Sequence, residues 1–247
     1  MKNLKKIIWI TVFTTAILFF NSCEKEDTIL PQHSEENIKD DKDNDNNGQQ
    51  SNNKNEGEIT LYSVANGKLT KTTDYKVTGT DLDFQNDVEK HNQIWELVKK
   101  VVPLNQLEKM SEFMIYNGNS SGTAGYVVEK TKDLSKWQMG IAIDFAFQGG
   151  FNHQGELAYT IIHEFGHILT LNDNQLNASI SESNCKNYFP GEGCAKKESY
   201  INELFQNYWK DIADEHSNAL NDQNAQEEFY SKYSDRFVTN YASTNPG

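Results

Sequence analysis

The pattern of apolar and polar positions divides the chain into four stretches. Apolar residues run almost without interruption over 7–20, are nearly absent from 24–57, and cluster in short runs over 59–147. From residue 155 onwards they recur at helical spacing. Short runs rich in β-branched and aromatic residues predict strands, and a spacing of three and four predicts helices. We therefore expect an α+β domain over 58–247, with a small, mostly antiparallel sheet followed by a helical C-terminal part.

The predicted strands and the first predicted helices lie in the third stretch. ITLYSV and KLTKTTDYKV predict short strands or an extended arm, and FMIYNG, AGYVVEKT and WQMGIAIDFAF predict three more strands. Apolar spacing predicts a helix over 83–102, and Pro103 predicts the start of a second short helix that runs to Met110.

The C-terminal part is predicted to be helical and polar. One helix is expected over 196–216 and another over 224–233. Four apolar or aromatic residues of the first helix lie on one stripe, which we expect to face the core: Tyr200, Leu204, Tyr208 and Ile212.

The helix predicted over 155–173 carries the most specific chemical pattern of the chain. It contains His163-Glu164-Phe165-Gly166-His167, the HExxH pattern of zinc hydrolases. Two histidines four residues apart on a helix are rotated by ~40° and separated by ~6 Å along the axis, so both imidazoles project from one face. They can therefore bind one Zn²⁺ together. Glu164 lies on the flank of that face, where it can act as the general base on a water activated by zinc.

The other positions of this helix predict that it is at least half buried. Five apolar residues lie on the side opposite the two histidines: Leu157, Ile161, Ile162, Phe165 and Leu169. Burial of His and Glu without partners costs free energy, and a bound metal removes that cost. The alternative is a partly exposed helix whose His and Glu side chains are satisfied by water or by neighbouring groups.

The first 22 residues have the features of a secretory signal peptide. A basic start is followed by the apolar run and by a small residue, Ser22, and the run is short for a membrane span. Asn21-Ser22-Cys23 resembles a lipobox, although Phe20 and Asn21 depart from the usual pattern. This resemblance implies lipidation at Cys23 and an anchor in the outer membrane; an ordinary signal peptide or an uncleaved anchor is the alternative.

Residues 23–57 predict an acidic, Asn-rich, disordered tether because they offer almost no apolar surface to bury. Their first residues, Glu24 to Asp27, resemble a surface-export signal of lipoproteins, so the domain is expected on the surface or the periplasmic side of the cell envelope. The formal charge is −13, and loss of Lys2, Lys5 and Lys6 with the signal peptide gives −13 − 3 = −16. Such a charge argues against nucleic acid as a partner.

The two remaining cysteines lie in the short segment CKNYFPGEGC. In an exported protein this arrangement predicts a disulfide between Cys185 and Cys194. A pair of free thiols or a metal pair is the alternative.

A catalytic zinc normally has three protein ligands, and the pattern supplies two of them. Asp173 occupies the third-ligand position of a metzincin-type extension, but Thr170 replaces the glycine that allows the chain to turn there. Glu198 and Glu203 are alternatives of the kind used by thermolysin-like enzymes.

HEFGHIL, followed later in the chain by FVTNYASTNP, resembles the zinc-binding metallopeptidases found as lipoproteins in gut and oral Gram-negative bacteria. That group includes the substrate-import-associated zinc metallohydrolase lipoproteins. The resemblance implies a zincin-like fold, with His163 and His167 as zinc ligands and Glu164 as general base. In the family an acidic stretch with the third ligand follows the segment that resembles 237–246. The chain is therefore expected to be truncated at its C-terminus, with that ligand beyond Gly247.

These observations predict an exported lipoprotein zinc metallohydrolase that cleaves peptide bonds in peptide or protein substrates. In zincin-like proteases an edge strand can pair with an extended substrate. We expect residues 137–145 to form that edge and Tyr241 to assist at the oxyanion. The alternative is a non-catalytic zincin-like accessory protein of an outer-membrane nutrient-uptake complex. Glu164 favours the enzyme, because zinc binding alone does not require it.

Overall fold

The computed structural model of the protein describes residues 57–119 and 121–246. The predicted signal peptide, the lipidation site Cys23 and nearly all of the predicted tether lie outside the described residues. Within the described part of the chain, no helix is long and apolar enough to cross a membrane.

The described residues form a mixed α+β structure. The strands are β1 (Glu58–Ala65), β2 (Lys68–Asp74), β3 (Met110–Tyr116), β4 (Gly125–Glu129), β5 (Trp137–Ala142), β6 (Leu176–Asn177) and β7 (Cys194–Ala195). The α-helices are α1 (Thr80–Asn86), α2 (Val88–Val101), α3 (Ile143–Ala146), α4 (Glu156–Leu171), α5 (Tyr200–Leu204), α6 (Ala213–Ala219) and α7 (Gln223–Lys232). Single 3₁₀ turns occur at Leu107–Lys109, Glu182–Asn184 and Tyr241–Ser243, and Phe205–Trp209 is a π-helical turn.

Five of the strands form one mostly antiparallel sheet in the order β2-β1-β3-β5-β4. β1 pairs antiparallel with β2 and β3, and β4 pairs antiparallel with β5; only β3 and β5 are parallel. The β1–β2 turn contains Asn66 and Gly67, both with positive φ, which is the conformation of a tight hairpin turn. The α+β class and the mostly antiparallel sheet predicted from the sequence are confirmed.

The prediction that residues 137–145 form the edge strand is wrong. β5 lies between β3 and β4, and the edge of the sheet on this side is β4. All six residues of β5 are buried, as expected for a strand covered on both faces, whereas β4 becomes exposed toward Glu129. The strand is also shorter than expected, because the chain turns into α3 at Ile143.

The two helices predicted over 83–110 are also corrected. A break at Asp87 divides the first into α1 and α2, and the Asp87 carboxylate accepts a hydrogen bond from the Lys90 amide as the N-cap of α2. After Pro103 the chain forms only the turn at Leu107–Lys109. Met110 already pairs with Trp137 in the sheet, so no helix can extend to it.

One broad hydrophobic core joins the sheet to α2 and α4. From α4 it receives five buried side chains: Leu157, Ile161, Phe165, Ile168 and Leu171. Ile162, which we expected on the buried side, is 58% exposed. At about 100° per residue it lies on the solvent side of the helix axis, and Ile168 contributes to the core instead.

A second, smaller cluster forms in the C-terminal part. It contains four buried residues of the described chain: Trp209, Ile212, Ala219 and Phe229. Of the predicted stripe only Ile212 is buried; Tyr200, Leu204 and Tyr208 are exposed. In α5 the buried apolar residue is Ile201. The π-helical turn that follows, in which the Lys210 amide donates to the Phe205 carbonyl (2.9 Å), adds a residue to the turn and so shifts which of the later residues face inward.

Candidate functional site

The histidines of the HExxH pattern lie near the middle of α4 and project from the same side. The ring centroids of His163 and His167 are 4.9 Å apart, with the ring planes almost perpendicular. Both side chains are half-buried. Burial lowers the pKa of His163, which favours the neutral imidazole, the form that binds metal ions.

The side chain of Glu164 projects from α4 toward the edge strand β4. A Cβ added to Gly125 of β4 would come within 3.1 Å of Glu164 Cγ and within 2.6 Å of Thr160 Cγ2. Only glycine therefore allows β4 to approach α4 so closely. Glu164 is half-buried there, and desolvation raises its pKa to about 7.

Two tyrosine rings lie beside His163. Tyr159 is one helical turn earlier on α4, with its ring centroid 6.1 Å from that of His163 and the rings nearly parallel. Tyr241 belongs to the turn Tyr241–Ser243, and its ring centroid is 5.9 Å from that of His163. Burial raises the pKa of Tyr241, and the charge of Glu164 raises it further. Tyr159 was missed in the sequence, although its position four residues before His163 predicts that the two side chains are neighbours.

Three contacts hold the C-terminal segment that carries Tyr241. The ring of Phe237 packs against Trp209, with centroids 5.2 Å apart. The carbonyl of Thr244 can only accept a hydrogen bond, so His216 Nε2 donates to it (2.8 Å). Arg236 makes a bidentate ion pair with the carboxylate of Asp211 (2.9 and 2.8 Å). Tyr241 is therefore positioned by the second hydrophobic cluster.

Asp173, the candidate third zinc ligand, makes its contacts with Lys109 and Leu134. Its carboxylate forms an ion pair with Lys109 Nζ, and its amide donates to the Leu134 carbonyl (3.2 Å). Glu198 lies just before α5 and Glu203 lies within it, and both are exposed. Among residues 57–119 and 121–246, no group of three or more His, Cys, Asp or Glu side chains could hold a metal ion. The ligand expected after Gly247 lies outside the described residues.

The residues present nevertheless fit part of a metal site. Two half-buried imidazoles project together from α4, and a carboxylate with a raised pKa follows the first of them. This is the donor set and the base that a hydrolytic zinc requires, except for one protein ligand.

Cys185 and Cys194 form a disulfide, with their Cα atoms 5.3 Å apart. Two contacts anchor the loop that it closes. Tyr188 stacks on Phe205 (centroids 4.4 Å apart), and Cys194 pairs with Asn177 between β7 and β6. The loop therefore belongs to the structure that follows α4 and not to the histidine site.

Comparisons of the chain with protein-family models, with curated proteins and with solved structures found no match.

Proposed function

We propose that the protein is a zinc-dependent hydrolase that cleaves peptide bonds, with a zincin-like arrangement of sheet and active-site helix. His163 and His167 bind the metal, and Glu164 is the general base. The observation that carries the proposal is the position of Glu164. It is a half-buried carboxylate one residue from a metal-binding imidazole, with a pKa raised to about 7, near the pH at which a general base is most effective.

When bound, zinc would supply a Lewis acid that polarises the scissile carbonyl group and makes a water molecule more acidic. The protein's own contribution is the position and the basicity of Glu164. Its carboxylate takes a proton from the attacking water and passes it to the nitrogen of the leaving amine. Burial of Glu164, whose Cγ lies close to Gly125 of β4, raises its pKa and so keeps the carboxylate basic.

The edge strand β4 supports a peptide as the substrate. Among the strands of residues 57–119 and 121–246, β4 has a neighbour on one side only, and its first residue, Gly125, lies against Glu164 of α4. An extended peptide that pairs with the outer edge of β4 would lie along α4 with its backbone near Glu164. The edge strand of the proposal is thus β4 and not β5.

We also propose, from the N-terminal 57 residues, that the protein is exported and anchored in the outer membrane by lipidation at Cys23. The membrane and a peptide or protein substrate are the partners that this proposal requires.

Zinc binding and peptide hydrolysis test the proposal on the same set of variants. We expect one zinc per chain, lost in His163→Ala and in His167→Ala and retained in Glu164→Gln, because glutamine keeps the size of the side chain but cannot act as a base. Hydrolysis of a peptide library should fall by ~10³-fold or more in all three variants. His153→Ala, an exposed histidine outside α4, is the matched control and should change neither measurement.

Zinc binding that is unchanged in His163→Ala would sink the assignment of the metal site. Hydrolysis that persists in Glu164→Gln would sink the assignment of the base.

A second candidate is a non-catalytic zincin-like protein that serves an outer-membrane uptake complex. The observation that favours it is the lack of a third ligand within the described part of the chain. It predicts a chain that binds peptide or zinc but cleaves no member of the library, with or without Glu164→Gln.

A further inference from the structure

Three aromatic rings follow one another along α4. Tyr159, His163 and His167 are spaced by four residues, and residues four apart on a helix are neighbours on one face. Side chains on a helix lean toward its N-terminus, so the His163 ring lies over the turn that carries Tyr159. These two ring planes differ by only 25°, whereas His163 and His167 meet edge to face. His163 is therefore the middle member of a row of three rings.

Tyr159 is a stacking partner that His163 keeps whenever α4 is folded, because both residues belong to the same helix. Their centroid separation of 6.1 Å with nearly parallel planes is typical of an offset-stacked pair, which aromatic rings favour. Tyr241 approaches His163 to 5.9 Å, but its ring is tilted by 52° and belongs to the C-terminal segment. The contact of Tyr241 thus depends on the packing of a second region, and that of Tyr159 does not.

Among the described residues, the His163 ring is held by aromatic contacts and not by a hydrogen bond. A histidine that binds a metal ion usually donates a hydrogen bond from its second ring nitrogen to a carboxylate or carbonyl group, which fixes the ring. Within residues 57–119 and 121–246, burial is the only influence on the pKa of His163, with no contribution from a charge or a hydrogen bond. Stacking is therefore the contact that restricts the rotation of this ring.

The stacked pair should be more stable when His163 binds a metal ion. The face of a tyrosine ring carries the negative part of its quadrupole and attracts positive charge. An imidazole that binds a divalent cation is more positive than a free neutral imidazole, so Tyr159 stabilises the metal-bound form more than the metal-free form. A contact that is stronger in the bound state raises the affinity by that difference.

We propose that Tyr159 is a positioning residue of the metal site: its ring stacks on His163, holds the imidazole beside that of His167, and raises the affinity of the pair for zinc. The inference rests on the proposed function, in which His163 and His167 bind the metal. Tyr159 acts through His163 and not as a ligand. The aromatic ring carries this role, and the hydroxyl group does not.

Zinc affinity of the full chain, measured by competition with a chromophoric chelator, tests this role. Tyr159→Leu keeps apolar bulk and helix propensity but removes the ring, and it should weaken zinc binding by ~3–5-fold, the range of an exposed stacking or cation–π contact. Tyr159→Phe keeps the ring and should bind zinc as the unsubstituted chain does. Tyr200→Leu is the matched control, since Tyr200 is 58% exposed and Tyr159 is 64% exposed, and it should change nothing.

Three further measurements separate positioning from a loss of structure. The visible absorption spectrum of Co²⁺, added in place of zinc, reports the geometry of the ligands and should change in Tyr159→Leu but not in Tyr159→Phe. In proton NMR of the metal-free chain, the His163 ring protons should lose the ring-current shift of Tyr159 in the leucine variant alone. The thermal unfolding midpoint of the metal-free chain should stay the same, because Tyr159 is mostly exposed.

The outcomes separate the role of Tyr159 from the proposed function. Unchanged zinc affinity in Tyr159→Leu overturns the positioning role and leaves the metal site. Weaker binding in both Tyr159→Leu and Tyr159→Phe assigns the effect to the hydroxyl group and overturns the role of the ring. A lower unfolding midpoint of metal-free Tyr159→Leu, in parallel with its zinc affinity, makes Tyr159 structural and overturns the role too. An unsubstituted chain that binds no zinc overturns the metal site itself, and the positioning role with it.

Discussion

The sheet and α4 share a broad core that extends from Ile59 to Ile201, whereas the C-terminal helices pack around a cluster of four buried residues. The first region holds His163, Glu164 and His167 on a helix anchored by five buried side chains. The second holds Tyr241 through the packing of Phe237 and a few polar contacts. Regions with fewer buried contacts open more easily. The histidine pair therefore lies in the more stable region, and Tyr241, which approaches His163, lies in the less stable one.

The largest expected effect is the loss of an aromatic side chain from the broad core. Phe113 is fully buried, and its ring packs 5.2 Å from that of Trp95. We expect Phe113→Ala to lower the free energy of unfolding by ~3–5 kcal/mol, from lost burial and the cavity that remains. Urea unfolding followed by circular dichroism measures the change, and Leu104→Ala, at an exposed position, is the control. A loss of less than ~1 kcal/mol would contradict the description of this core.

An alanine substitution in the smaller cluster should affect peptide hydrolysis but not zinc binding. Ile212 is buried beside Trp209, and Ile212→Ala should cost ~2–3 kcal/mol, at the low end for its type because a small cluster can relax around the cavity. The segment that carries Tyr241 should loosen. Peptide hydrolysis should then fall while zinc affinity stays unchanged, which calorimetric zinc titration beside a peptidase assay would measure. Parallel loss of both would mean that the two regions are not separable.

The smallest expected effect is on the pH dependence of stability, and it involves one histidine in each region, His91 and His216. His91 is fully buried: its Nε2 donates to the Phe84 carbonyl (2.9 Å), so its Nδ1 accepts from the Tyr62 hydroxyl (2.7 Å). Burial lowers the pKa of His91 and also that of the half-buried His216. As the pH falls below the ordinary histidine pKa of ~6.5, the unfolded chain takes up protons that the folded chain does not, so stability is lost toward acid.

His91→Gln should therefore flatten the dependence of the unfolding free energy on pH between ~6.5 and ~5, and His216→Gln should flatten it less because His216 is only half-buried. Denaturant unfolding at several pH values measures both slopes, with His153→Gln as the exposed control. An equal slope in His91→Gln and the unsubstituted chain would show that His91 takes up its proton as readily in the folded state.

Apolar spacing and turn residues predict the hairpin and the helix α4, because both depend on residues close to one another in the sequence. The hairpin of β1 and β2 has a turn whose residues favour positive φ, and α4 has apolar spacing over its whole length. The order of the strands depends on pairing between distant segments. A mostly apolar run such as 137–142, interrupted only by Gln138, is typical of an interior strand, but it does not tell which strands are its neighbours.

In the candidate site too, some neighbours are set by local sequence and others by the packing of distant segments. His163, Glu164 and His167 lie within five residues of one another, so helical geometry alone predicts that they are neighbours. The approach of Tyr241 depends on the packing of Phe237 and on the hydrogen bond of His216 to Thr244. The helix that was expected to bury Tyr200, Leu204 and Tyr208 buries Ile201 and Trp209 instead, and the π-helical turn within it is a tertiary feature that no apolar spacing indicates.

The open edge of β4 also bears on how the protein behaves among its own copies. A strand with unpaired backbone groups on one side can pair with the same strand of another molecule and begin an aggregate. β4 has only five residues, its last is the charged Glu129, and the salt bridge of Lys130 with Glu112 follows directly. Short length and charge are the features with which natural proteins discourage such self-association, while still leaving room for one extended segment.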